Sequence, residues 1–161
     1  MVKELAGHRT KWTIRKYADD RAFRRGEPFE VAEVEGNLLL NEGIAALANL
    51  LTGAAETAFS NANSYLGVGD SNASESASQT GLQAAANKAY AGMEAGYPQT
   101  GGQSVTWRAV FDGDTANFAW NEFTVANGNS DAADNLNRKV SAQGTKASGQ
   151  TWTLDLQITF S

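Results

Sequence analysis

The chain contains no cysteine, so neither a disulfide framework nor a thiolate metal site is available, and stability has to come from packing. A single histidine, His8, leaves proton transfer near neutral pH without its usual carrier, and a surface bystander is the expected role for it. No apolar run approaches the roughly 20 residues that cross a bilayer, and the opening Met1-Val2-Lys3-Glu4-Leu5-Ala6-Gly7 lacks the apolar centre of a signal peptide. Folding in a cytoplasm with no membrane partner is the expectation. Nucleophile elbows, phosphate-binding loops and zinc-binding helices are missing as well. Gly67-Val68-Gly69 opens like a dinucleotide loop, but Asn72 stands where the third glycine belongs and no βαβ pattern surrounds it.

Two further patterns of oxygen-bearing residues invite chemistry and fall short. Asp112, Asp114 and Glu122 lie close in sequence, as paired acids of a glycosidase would, yet turn-forming carboxylates on a solvated hairpin explain them better. The loop Asp70-Ser71-Asn72-Ala73-Ser74-Glu75 spaces its oxygens like a calcium loop, but Glu75 replaces the sixth-place glycine and Gly81 the twelfth-place glutamate. No catalytic, cofactor-binding or metal-binding residue is assigned, no cofactor is expected, and the chain is read as a non-enzyme.

What the sequence does contain is one domain's worth of residues, 161, with 42% hydrophobic and 19% charged, a globular balance. The charge is uneven. Residues 1–36 carry 8 basic and 7 acidic groups, a balance of +1, and the remainder carries 5 and 11, a balance of −6. An acidic body argues against nucleic acid as the partner, because phosphate contacts need clustered cations.

Alternation dominates the body. Val105, Trp107, Ala109 and Phe111 share one phase, Phe118 and Trp120 lead into Phe123 and Val125, and Leu136, Arg138 and Val140 make a shorter run. Trp152, Leu154, Leu156, Ile158 and Phe160 alternate so regularly that their register is fixed, and this last strand is expected inside a sheet. Tyr65 to Asp70 predicts a strand ending in a turn, while Leu82 to Met93 fits a helical face and an alternating one equally, with a turn and then a strand preferred. Turns at Asp-Gly-Asp, Asn-Gly-Asn and Ser-Gly imply hairpins. The fold class that follows is mainly β, an antiparallel, jelly-roll-like β-sandwich over residues 37–161. One short amphipathic helix is predicted between Asn37 and Gly53. Its stripe is Leu40, Ile44, Leu47 and Leu51, with Asn37 or Asn41 as N-cap and Gly53 just past the end. Trp107, Trp120 and Trp152 fall on the core phase.

Residues 1–36 read differently. Trp12 and Ile14 alternate with Thr13 and Arg15, and Phe29 and Val31 alternate with Glu30 and Ala32, on either side of the turn-prone Arg25-Gly26-Glu27-Pro28. These are ordinary strands of the sandwich or segments of an extended N-terminal arm. The charge density favours the arm, with Trp12, Ile14, Arg15, Arg24, Arg25, Phe29 and Val31 as partner-binding residues. On that reading residues 1–36 anchor the protein and the rest of the chain folds alone.

The order of landmarks from Asn37 onward resembles a family of small virion proteins of tailed bacteriophages. The carrying segments are Asn37-Leu38-Leu39-Leu40-Asn41-Glu42-Gly43, Tyr65-Leu66-Gly67-Val68-Gly69-Asp70, Thr80-Gly81-Leu82-Gln83 and Val105-Thr106-Trp107-Arg108-Ala109-Val110-Phe111. They continue with Asn117-Phe118-Ala119-Trp120-Asn121-Glu122, Leu136-Asn137-Arg138-Lys139 and Thr151-Trp152-Thr153-Leu154. The resemblance implies a capsid or tail role without catalysis and a virion location after assembly in the host cytoplasm. The implied partners are the major capsid protein or other virion proteins, with homo-oligomeric association. Within the class, a capsid decoration or cement protein fits a short chain without fibre repeats, and a tail, baseplate or fibre component is the alternative. A carbohydrate-binding module using exposed tryptophan belongs to a different class, which a glycan array would reveal.

Overall fold

A computed structural model describes residues 7–161. Two antiparallel sheets of five strands pack face to face, as the alternation predicts. The first sheet contains β1 (His8–Tyr17), β2 (Glu30–Glu35), β6 (Gln99–Gly101), β7 (Ser104–Phe111) and β10 (Thr151–Phe160), in the order β2-β1-β10-β7-β6. The second contains β3 (Leu38–Leu39), β4 (Tyr65–Gly69), β5 (Lys88–Gly92), β8 (Glu122–Ala126) and β9 (Asn137–Val140), in the order β3-β9-β8-β4-β5. Two helices complete the chain, α1 (Asp20–Arg24) and α2 (Asn41–Thr52).

The last strand is the middle of its sheet, pairing with β1 from His8↔Phe160 to Tyr17↔Thr151 and with β7 from Trp152↔Phe111 to Thr159↔Ser104. One phase of each of these strands fills the core. Trp12 and Ile14 from β1 meet Trp107, Ala109 and Phe111 from β7 and Trp152, Leu154, Leu156 and Ile158 from β10, against Leu66, Val68, Phe123 and Val125 of the second sheet. Trp120 sits at the centre, its ring edge-on to Phe111 at 4.9 Å and to Trp152 at 5.0 Å. Such aromatic pairs contribute about 0.5–1.5 kcal/mol beyond the area they bury. The strand expected from Phe118 begins only at Glu122, and Leu82 to Met93 resolves into loop followed by β5.

The extended arm is a correction. Residues 8–35 form two strands and a helix of the first sheet, with β1 inserted between β2 and β10. Trp12 and Ile14 are 0% exposed, and fully burying such side chains stabilises by about 1.5–3 kcal/mol each. A free arm would hold both in water, so the inward phase of β1 outweighs its charge, which the alternation directs to the opposite face. Lys16 is the one cation on the inward phase. Its ammonium reaches Glu30 Oε1 at 2.8 Å and the Gln143 carbonyl at 2.5 Å, and lies 4.6 Å from the centre of the Trp152 ring.

The second correction concerns α2. Leu40, Gly43 and Ala46 are buried and Leu47 packs against the core, but Ile44 is 49% and Leu51 87% exposed, so only half of the leucine-isoleucine stripe lies on the packed face. Close approach completes it: a Cβ on Gly43 would lie 2.4 Å from the Cα and carbonyl oxygen of Leu136, so the helix backbone rests directly on the chain entering β9. No side chain caps the start of α2; Leu40 is the N-cap and the Asn41 N–H donates to the Ala77 carbonyl. Gly53 ends the helix at φ +69°, the left-handed conformation expected there. Helix α1 was not foreseen; Asp19 caps it, its carboxylate accepting from the Ala22 N–H at 2.7 Å.

Candidate interaction surface

The phase of β1, β10 and β7 that points away from the core makes the outer face of the sheet, on which Thr13, Thr153 and Asp155 are themselves buried among their neighbours, and its residues are fixed by register. Thr13, Asp155 and Arg108 lie in one row across the three strands; Val31, Arg15, Thr153 and Val110 lie in the next. Asp155 accepts from Arg15 Nη1 at 2.9 Å and from Arg108 Nε and Nη2 at 2.7 and 2.6 Å. Two guanidiniums thus share one carboxylate that is only 7% exposed. The hydrogen bonds to Asp155 hold the Arg108 pKa above its ordinary value against the opposing effect of burial. The Arg108 guanidinium also stacks over Tyr97, 4.7 Å from the ring centre.

Beside this network is a cavity of about 280 Å³ lined by Arg15, Tyr17, Phe23, Glu94, Arg108, Val110 and Thr153. Helix α1 closes one side, because Phe23 packs edge-on against Tyr17 at 5.3 Å. Phe29 and Val31 lie on the β2 edge next to it, 55% and 52% exposed. Phe29 is positioned by its N–H, which donates to the Lys16 carbonyl at 2.8 Å. Arg24 and Arg25 are exposed at the end of α1, paired with Asp20 and Glu27.

The structure therefore divides the seven residues predicted to bind a partner. Trp12 and Ile14 are core residues and are withdrawn from the surface. Arg15, Arg24, Arg25, Phe29 and Val31 belong to the β1–α1–β2 corner of the first sheet. Sequence reasoning missed Asp155, Arg108, Tyr17 and Phe23. The polar phase of the last strand held the one available signal, an aspartate between Leu154 and Leu156.

Other polar clusters are closed. Glu122, expected on a solvated hairpin, is 0% exposed, as is its ion-pair partner Arg138 at 2.7 Å. Glu122 also accepts from the N–H groups of Gln83 and Ala84, while Arg138 Nη1 donates to the Ala73 carbonyl and Gln79 Oε1. Glu75 accepts from the Val140 N–H, so the loop that resembled a calcium site is bound down on the second sheet by its own carboxylate. Asp131 ties the same region together through Leu82 N–H, Lys88 and Tyr90, whose hydroxyl pKa is pushed up by burial and then by Asp131. Asp112 and Asp114 are exposed and make a turn, Asp112 Oδ1 accepting from the Asp114 N–H. Among the described residues no group of three or more histidine, aspartate or glutamate side chains is arranged to hold a metal ion, and no helix is long and apolar enough to cross a membrane.

No protein-family model, curated protein or solved structure matches this chain.

Proposed function

We propose that this protein is a non-enzymatic virion structural protein of a tailed bacteriophage, a decoration or cement protein that binds the head lattice through the β1–α1–β2 corner of its first sheet. The sequence resemblance supplies the class. The observation that supports the mode of attachment is the grouping of exposed Phe29 and Val31 with Arg15, Arg24 and Arg25 at that corner. Aromatic side chains and arginine are the types enriched at protein interfaces and their hot spots, and here a rigid sheet carries them. Glu30 and Glu33 of the edge strand β2 are ion-paired to Lys16 and Lys11 of β1, and charged side chains on an edge strand are a usual guard against indiscriminate strand pairing.

Copy number per particle, read from a stained gel of purified virions, tests the location. A head protein is present in as many copies as capsid subunits to within a small factor. A count in the range of tail components favours the alternative, a tail, baseplate or fibre part.

A further inference from the structure

We infer that the cavity between Arg15 and Arg108 receives an acidic side chain of the partner protein. This deepens the docking face proposed above and rests on it. Both oxygens of Asp155 are already taken, Oδ1 by Arg108 Nε and Oδ2 by Arg15 Nη1 and Arg108 Nη2. Arg15 Nε and Nη2 and Arg108 Nη1 make no hydrogen bond among the described residues. The floor of the cavity therefore offers unpaired guanidinium donors, while the one carboxylate on the lining that makes no side-chain bond is Glu94, exposed beside Arg108, so that Arg15 and Arg108 stand against Asp155 and Glu94. Thr153 does not change this, since its hydroxyl is shielded from solvent.

A carboxylate is the group that fits a pair of guanidinium edges, through short charge-assisted bonds of fixed geometry. Asp155 and the Tyr97 ring hold Arg108 in place before any ligand arrives, and Asp155 holds Arg15, so little side-chain freedom is lost on binding. Tyr17, Phe23 and Val110 supply the apolar part of the lining. At about 280 Å³ the cavity falls just below the 300–1,000 Å³ usual for small-molecule sites, a size suited to a side chain. Glu94 sets the sign of the test: it is exposed on the lining, and its carboxylate makes no side-chain bond among the described residues. It repels an incoming anion and attracts a cation.

The probe is N-acetyl-aspartate N-methylamide, added at constant ionic strength to the full chain while the Nε–H signals of Arg15 and Arg108 are followed by NMR. The lysine analogue and methyl glucoside serve as comparisons. The expected result is a saturable shift with the aspartate probe alone, and binding about threefold tighter in Glu94→Gln, the scale of one exposed charge pair. A shift no larger than sodium chloride produces, a response to the lysine analogue or the glucoside instead, or weaker aspartate binding in Glu94→Gln overturns the inference. Sedimentation of Phe29→Ala/Val31→Ala with particles separates the two levels. Lost sedimentation with a silent titration overturns the cavity inference alone, whereas unchanged sedimentation overturns the docking face and the inference with it.

Discussion

Replacing Arg138 with alanine should destabilise the protein by about 3–5 kcal/mol, the usual cost of leaving one member of a buried ion pair alone. The structure shows why the upper half of that range is expected. Glu122 and Arg138 are both 0% exposed, so no water replaces the guanidinium beside the carboxylate. The same change removes the donor to the Ala73 carbonyl and to Gln79 Oε1, so the loop between β4 and β5 loses its anchor on β9. Replacing both partners, as Glu122→Leu/Arg138→Met, does not restore stability, although many buried pairs tolerate such a swap. The backbone N–H groups of Gln83 and Ala84 would lose their acceptor, and for Ala84, which is buried, an unpaired donor costs about 1–3 kcal/mol. Urea unfolding measures the loss, and hydrogen exchange at Gln83, Ala84 and Val140 locates it in the strapped loop. A loss under about 1 kcal/mol for Arg138→Ala, or a double variant as stable as the parent, would refute the reasoning.

Trp152→Ala should cost about 3–5 kcal/mol in urea unfolding because it empties the contact with Trp120, while Thr153→Ala, whose buried hydroxyl has no partner, should stay within about 0.5 kcal/mol. Deleting residues 1–26 should abolish cooperative melting, since it removes β1 and with it Trp12 and Ile14 from the core; a folded truncation would restore the arm. Glu42 has a raised pKa, first through burial and then through Asp134, with the Asn135 N–H bond opposing. A carboxylate raised in the folded state holds its stability while protonated and loses it as pH climbs above the ordinary carboxylate value. Glu42→Gln, which keeps an oxygen for the Asn135 N–H, should therefore melt higher than the parent at neutral pH and lose that advantage near pH 4. An advantage that grows on acidification would reverse the assignment.

The sandwich was legible because period-two alternation survives in β7 and β10, where every inward residue is apolar and all but Ala109 are large. The same signal was present in β1, yet charge density competed with it. Lys11, Arg15 and Lys16 suggested an arm, whereas Lys11 and Arg15 lie on the outward phase and Lys16 is neutralised by Glu30. In α2 the large residues marked the packed face only in part: Leu40 and Leu47 pack inward but Ile44 and Leu51 do not, and the contact is completed by Gly43 and Ala46, small residues that carry little hydrophobic signal of their own. Of the charged network of the candidate surface only the aspartate on the polar phase of β10 was readable. Arg15 and Asp155 are 140 residues apart in sequence and only the sheet register brings them together, while Arg138 and Ala73, 65 residues apart, meet through the fold of the β4–β5 loop.

Photo-crosslinking tests most directly the claim that the protein attaches through the β1–α1–β2 corner. A benzophenone side chain is placed either at Phe29 or at Leu51, the most exposed large apolar residue of α2, and virions assembled with each are irradiated. The account predicts a crosslink from position 29 to another virion protein and none from position 51. A crosslink from position 51 alone would contradict it.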